Sequence, residues 1–336
     1  MARKTGTSTY IMENKPCVLG FASIVGKKEG EGNLAKYFDK IYNDTTLGQK
    51  TWEKAESRLV AEAVSVALKK ADLNYPDIDI IFSGDLLNQC ISSTYGIRET
   101  GIPFLGLFGA CSTIAESICA ASLLIDSGTV QNCVCATSSH FCSAERQFRY
   151  PLEYGGQRPQ SSQWTVTGSG GLVLGTEEHG ICIDKACIGR IVDNGTTDAN
   201  NMGAAMASAA ADTLLRFFSD TGDPPEMYDL IATGDLGFVG SQILKELLAR
   251  EGLVLGDRYT DCGLLIFDRD RQDVHSGGSG CGCCASVLCS YILNSMSEGK
   301  MSNVLVCATG ALMSPTSVQQ GESIPGIAHA VHLSKK

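Results

Sequence analysis

Charge is scarce in this chain and aromatic side chains are scarcer. Only 19% of its 336 residues are Asp, Glu, Lys or Arg, and 7% are Phe, Trp or Tyr. With 43% hydrophobic residues, that leaves ample apolar material for a large buried core. Positive charge is also lacking. The net charge of −10 repels phosphate backbones, so nucleic acid is not an expected partner. No run of about 18 apolar residues occurs without a charge, which excludes a simple bilayer-spanning helix but not docking onto a membrane complex. The start, Met1-Ala2-Arg3-Lys4, leads into polar residues without an apolar core segment, so no secretory signal is expected.

Cofactor and metal signatures are missing as well. Gly168-Ser169-Gly170-Gly171 and Gly277-Gly278-Ser279-Gly280 lack the Lys-Ser/Thr ending of a phosphate loop and the later acid of a dinucleotide fingerprint. They read as places where backbones approach closely. No G-x-S-x-G elbow occurs. Cys281-Gly282-Cys283-Cys284 holds a C-x-x-C without a second ligand pair, so packing is preferred to zinc. Neither a cofactor nor a metal is expected.

Cysteine and glycine, by contrast, are plentiful, at 15 and 37 residues. The odd cysteine count in a long chain points to free thiols in a reducing compartment, packed as small hydrophobes. Glycine suits tight strand–helix turns.

The apolar pattern predicts a strand over 17–25 and an amphipathic helix over 51–71, with Thr51 as N-cap and Lys54 and Glu56 facing outward. Strands at 78–83, 103–108 and 132–137 follow, with a helix over about 112–127. The chain then repeats itself: a strand at 228–233, a helix at 241–251, a strand at 262–267, a helix over about 284–298 and a strand at 303–308. Ser83-Gly84-Asp85-Leu86 is echoed by Thr233-Gly234-Asp235-Leu236, and Val134-Cys135-Ala136-Thr137 by Val306-Cys307-Ala308-Thr309. Such a repeat implies parallel α/β sheets covered by helices. A glycine-rich strand at 168–175 closes the first half, and the expected division is 1–178 and 179–336.

Cys111 is the leading chemical candidate. Phe108-Gly109-Ala110-Cys111-Ser112-Thr113 puts a thiol at a strand–helix junction, where free N–H groups and the helix dipole favour thiolate and bind anions. The alternative is a cysteine chosen for size. A nucleophile needs a base, and His140, just after the 132–137 strand, could approach; it could equally be a loop residue. His179 and His275 read as turn or loop residues, and His329 and His332 as part of the tail. Asp85 and Asp235 end equivalent strands, where carboxylates face crevices or cap helices. Ser138 and Ser279 are further expected pocket residues. Arg158 could pair a carboxylate bidentately, although Gln157-Arg158-Pro159-Gln160 also suits an exposed loop.

The duplicated unit, the Gly109-Ala110-Cys111-Ser112 turn and the strand Gly170-Gly171-Leu172-Val173-Leu174-Gly175 resemble the thiolase and ketoacyl synthase superfamily over about 17–315. Within it, Trp52-Glu53-Lys54-Ala55-Glu56, Phe82-Ser83-Gly84-Asp85-Leu86-Leu87-Asn88-Gln89, Gly106-Leu107-Phe108-Gly109-Ala110-Cys111-Ser112-Thr113 and Glu145-Arg146-Gln147-Phe148-Arg149-Tyr150-Pro151 resemble the stage V sporulation protein AD family. The resemblance implies a five-layered αβαβα thiolase-like fold. Condensing enzymes of this fold carry a second-half His where this chain has Thr233-Gly234-Asp235, and an Asn or second His where it has Ser279-Gly280-Cys281. The family resemblance therefore implies a non-enzymatic role: binding dipicolinic acid or its calcium chelate for uptake into the developing spore, with other stage V sporulation protein A components at the inner membrane. A homodimer is implied by most relatives. Asp85 or Asp193 could then face calcium. The rival readings are an acyltransferase with Cys111 as nucleophile and a scaffold with a vestigial pocket.

Overall fold

The computed structural model describes residues 1–148, 158–176 and 180–336. His179 and the Arg149-Tyr150-Pro151 segment lie outside the described residues.

The first half opens with strand β1 (Cys17–Val25) and helix α1 (Trp52–Lys70), whose cap is Thr51: its hydroxyl accepts the Lys54 N–H. Strand β2 (Ile80–Gly84), helix α2 (Ile91–Ile97) and strand β3 (Phe104–Gly106) follow. Then come α3 (Thr113–Asp126), β4 (Cys133–Ser139), α4 (Phe141–Phe148) and β5 (Gly168–Gly175). The second half uses β6 (Ile181–Cys187), α5 (Met202–Thr221), β7 (Leu230–Thr233), α6 (Gly237–Arg250) and β8 (Tyr259–Asp261). It ends with α7 (Cys281–Val287), which runs on through a π-turn at Leu288–Ile292 into α8 (Leu293–Ser297), and with β9 (Asn303–Ala311) and β10 (Gly326–Lys335).

The strand order is β3-β2-β4-β5-β1 in the first half and β8-β7-β9-β10-β6 in the second, so corresponding strands occupy corresponding places. The halves meet where Cys17 of β1 pairs with Cys182 of β6. One apolar core, containing Phe82, Ile114, Ile118, Leu172, Val287 and Val304, lies between the sheets around α3 and α7. A second core packs α1 on the outer face of the first sheet, and a third packs α5 on the outer face of the second. Three helical layers and two sheets make the five-layered α/β arrangement.

Four expectations change. Residues 262–267 are not a strand: β8 ends at Asp261, and Cys262–Leu265 form a helical turn. The Asp261 carboxylate accepts the Leu236 and Gly237 N–H groups and fixes that end. The turn then sends Cys262, Ile266 and Phe267 into the central core. The presumed tail is β10, an inner strand of its sheet, with His329 and His332 buried in it. Burial lowers both imidazoles to about 4, so they sit there neutral. Glu56 does not face outward; it is buried between α1 and the sheet, where the Ser138 and Ser143 hydroxyls donate to it. Finally, Cys17 and Cys182 form a disulfide, while the other thirteen cysteines remain thiols.

Candidate functional site at Cys111

Cys111 sits in a 3₁₀ turn, Ala110–Ser112, directly before α3. Ala110 has φ near +49°, a left-handed conformation that costs a β-carbon residue energy and turns the chain sharply. The turn also packs against Gly310 of β9. A Cβ there would stand 2.2 Å from the Gly109 carbonyl oxygen and 3.3 Å from the Cys111 nitrogen, so the site depends on this bare glycine.

Second-half residues complete the surroundings. The Cys111 Sγ lies 3.9 Å from the Ser279 Oγ. Ser279 donates its hydroxyl proton to the Asp235 carboxylate at 2.7 Å. The same Asp235 oxygen accepts the Gly280 N–H at 3.0 Å, and its other oxygen accepts the Thr309 hydroxyl at 2.7 Å. Because the Ser279 proton is committed, the sulfur is the donor of the Cys111–Ser279 contact. The chain of donors therefore runs from thiol to hydroxyl to carboxylate.

This wiring reverses the electrostatics expected from the helix terminus. Burial, and next the nearby Asp235 charge, push the Cys111 thiol well above the usual cysteine range. Asp235 is itself raised by burial, against the opposing pull of the Ser279, Gly280 and Thr309 donors.

A cavity of about 80 Å³ opens at this point. Leu86, Phe148, Met202, Met206 and Met313 make its apolar wall. Cys111, Glu145, Gln163, Thr165 and Ser279 make its polar side. The short strand Trp164–Thr165 pairs with Gly278–Ser279 and carries Thr165 and Gln163 to the rim.

Of the residues singled out in the sequence, the fold brings together Cys111, Asp235 and Ser279. Arg158 stands one step behind the cavity: its Nη2 donates to Glu145 Oε1 at 3.1 Å and to the Gln163 carbonyl at 2.6 Å, and its guanidinium lies over the Phe141 and Trp164 rings. Four others lie elsewhere. His140 does not approach Cys111; its Nε2 donates to the Thr45 carbonyl at 2.7 Å and its Nδ1 accepts the Cys142 N–H. Burial lowers its pKa, leaving it a neutral structural ring on the far side of β4. Asp85 accepts the Leu87 and Ser93 N–H groups, fixing the β2–α2 connection. Ser138 donates to Glu56 on the outer face of the sheet. Asp193 is exposed and held by the Gly195 N–H and the Ser323 hydroxyl.

The sequence reading missed Gln163, Glu145, Thr165 and the three methionines. Thr309 was within reach, since it ends the Val306-Cys307-Ala308-Thr309 echo. Gln163 carries no local signal; the pairing of its strand with Gly278–Ser279 puts it at the site.

The fold matches known structures along nearly its whole length. 3-Oxoacyl-(acyl-carrier-protein) synthase III from Aquifex aeolicus VF5 superposes with a TM-score of 0.56 at 13% identity, covering 95% of this chain and 99% of that one. Acetamide-bound OleA from Xanthomonas campestris gives a TM-score of 0.61 at 10% identity, covering 96% and 99%. At such identities the likeness establishes the thiolase-like fold alone. The sequence comparisons go further. Stage V sporulation protein AD of Bacillus subtilis (strain 168) is 48% identical over 327 residues, 97% of this chain and 96% of that protein. The family description "Stage V sporulation protein AD (SpoVAD)" matches residues 6–334. This chain belongs to the stage V sporulation protein AD family.

Proposed function

We propose that the protein binds a small pyridine dicarboxylate, dipicolinic acid or its calcium chelate, without turning it over, and serves its uptake into the developing spore. The observation that carries this reading is the direction of the Cys111–Ser279–Asp235 hydrogen bonds. Acyl condensation needs a thiolate beside a group that takes its proton. Here the sulfur is a donor, the next hydroxyl is already committed, and the group behind it is a buried acid that raises the thiol pKa.

The cavity supports the same reading. At about 80 Å³ it suits a compact ligand rather than an acyl chain. Its methionines are flexible enough to close on the faces of an aromatic ring. With a net charge of −10, the protein penalises a free dianion more than a neutral chelate. No described helix is long and apolar enough to cross a membrane, so placement at the inner membrane would come through partner proteins.

A homodimer belongs to the same proposal. Among the described residues the edge strand β3 is unpaired along one side, with Leu105 and Phe108 each 48% exposed. Two such edges related by a two-fold axis would pair and cover both side chains.

Calorimetry with dipicolinate, with and without calcium, is expected to show saturable binding. Incubation with acyl-CoA should leave the intact mass unchanged. Stoichiometric acylation of Cys111 followed by turnover would overturn the proposal in favour of an acyltransferase.

A further inference from the structure

Helix α4 faces two ways. Ala144, Glu145 and Phe148 belong to the cavity wall, together with Leu86. The other side of α4 is fastened to a buried acid: the Ser143 Oγ lies 2.6 Å from the Glu56 Oε2. A second buried acid, Asp85, accepts the Leu87 and Ser93 N–H groups and holds the turn that carries Leu86. Gln147 ties the two segments together. Its Nε2 donates to the Leu86 carbonyl at 3.1 Å, and its Oε1 accepts the Asn88 N–H at 3.0 Å. This part of the wall is therefore one unit with an acid anchoring each end. Behind it lies an outer crevice of about 390 Å³, whose lining includes Leu87, Asn88, Ser143 and Gln147.

Ser143 has one hydroxyl proton and two acceptors within reach, Glu56 and, at 3.0 Å, the His140 carbonyl. A protonated Glu56 serves both contacts: its acid proton bonds the Ser143 oxygen, and Ser143 donates to His140. Loss of that proton leaves Ser143 with one acceptor only. It also sets a second negative charge near Asp85, where water does not reach either acid. The other titratable groups around the pair are Cys281 on α7, Cys90 before α2 and His140 before α4, and at the surface Glu53 is paired with Arg146. Burial keeps both thiols and the imidazole neutral. Burial, and then Asp85, push Glu56 up to about 8.

We propose that Glu56 and Asp85 form a proton-operated latch on the cavity wall: the wall is closed while a proton sits between them, and its loss lets α4 and the Leu86 turn move toward the outer crevice. As a device for releasing ligand, the latch rests on the binding reading given above. The sign follows from the raised carboxyl. Closure is fully favoured below about pH 4.5 and loses that advantage as pH rises through about 8.

Hydrogen exchange on the full chain without ligand tests the latch, with rates corrected for the intrinsic effect of pH. Peptides from α4 and from residues 86–90 are expected to exchange faster than those from α5, which need wider unfolding. Their opening constant should rise about tenfold or more between pH 6 and pH 8 and level off above that. Glu56→Gln, which copies the protonated acid, should reduce the rise to within about twofold. The wild-type series needs no variant, and Ser143→Ala gives a second check: it should raise α4 exchange at pH 6 and flatten the pH dependence. Exchange in α4 no faster than in α5, or an equal rise in Glu56→Gln, overturns the latch. Stopped-flow release of dipicolinate on dilution, in excess calcium at pH 6 and pH 8, then tests the gating. Faster release at pH 8 in the wild type but not in Glu56→Gln supports it, and equal rates overturn it. Failure of dipicolinate to bind at either pH overturns the binding reading, while the exchange data still decide the latch.

Discussion

Asp85 and Asp235 follow the same strand in two halves with the same strand order, inside the same Gly-Asp-Leu triplet, yet they do different work. Asp85 accepts the Leu87 and Ser93 N–H groups at 2.9 and 2.8 Å and is spent on the β2–α2 connection. Asp235 turns to the cavity and gathers Ser279, Gly280 and Thr309 behind Cys111. In the second half, fixing the connection falls to Asp261, which accepts the Leu236 and Gly237 N–H groups at 2.8 and 2.9 Å. The backbone repeat is preserved while the capping job has moved one strand over. That move frees Asp235 for the site.

Removing each carboxylate breaks this comparison most directly. Asp235→Ala strands three donors, and a stability loss of about 3 kcal/mol is expected in chemical denaturation. Asp235→Asn keeps one acceptor oxygen and removes the charge. It should lower the Cys111 pKa, seen as faster iodoacetamide labelling of Cys111 at a given pH, read by peptide mass spectrometry. Asp85→Asn should destabilise the β2–α2 connection and leave Cys111 labelling unchanged. An equal gain in labelling from Asp85→Asn would mean that the two aspartates are not divided in role as described.

The halves also differ in how they bury acid. In the first, Glu56 is pushed up to about 8, by burial first and then by Asp85, and Glu29 to about 7 by burial. In the second, Asp261 reaches about 7, again through burial. A carboxyl raised in the folded state holds its proton while the unfolded chain has lost it. Its stabilisation is complete below about pH 4.5 and disappears as pH rises through the folded value. The melting temperature should therefore fall between pH 5.5 and 8.5. Glu56 alone should contribute on the order of 3 kcal/mol to that fall, more than either of the others. Glu56→Gln, which copies the protonated form, should flatten the upper part of that profile. An unchanged profile would show that Glu56 is ionised in the fold.

Much of this was legible because the first half announces itself. The continuous apolar run at 17–25 and the Gly-Ala-Cys-Ser turn needed no tertiary information. The failures share a physical cause. Charge on an amphipathic helix normally faces outward, whereas the burial of Glu56 depends on two serines far away in sequence, Ser138 and Ser143. β10 looked like a tail because His329, His332 and Ser334 interrupt its apolar pattern, and burial keeps both imidazoles neutral. The Cys-Gly-Leu-Leu-Ile-Phe run fits strand and helix equally, and the Asp261 contacts decide between them. His140 lay at the right distance along the chain but on the wrong face of the sheet.

The matching edge strands offer a third contrast. β3 exposes Leu105 at 48%, whereas Tyr259 and Asp261 of β8 are buried by their own half. Leu105→Lys should convert a dimer to a monomer in light scattering, with little change in the unfolding midpoint of the separated chain. Thr260→Lys on the other edge should leave the mass alone. A wild-type protein already monomeric at micromolar concentration would remove the dimer proposal.

The smallest expected effect concerns a feature the halves kept in common. Helices α1 and α5 both lie outside their sheets and follow the first strand of their half. Each is capped by a side chain three residues before the N–H it accepts. Thr51 takes the Lys54 N–H and Asn201 takes the Ala204 N–H, both at 3.3 Å. The residue types differ, but each supplies the short polar oxygen that a helix start requires. Thr51→Ala and Asn201→Ala should each cost about 1 kcal/mol. The two caps share no partner, so the double variant should cost the sum within about 0.5 kcal/mol. Additivity would mean that the halves meet their local folding requirements independently, although the site they share needs residues from both. A coupling well above that margin would show instead that the outer helices sense one another through the central core.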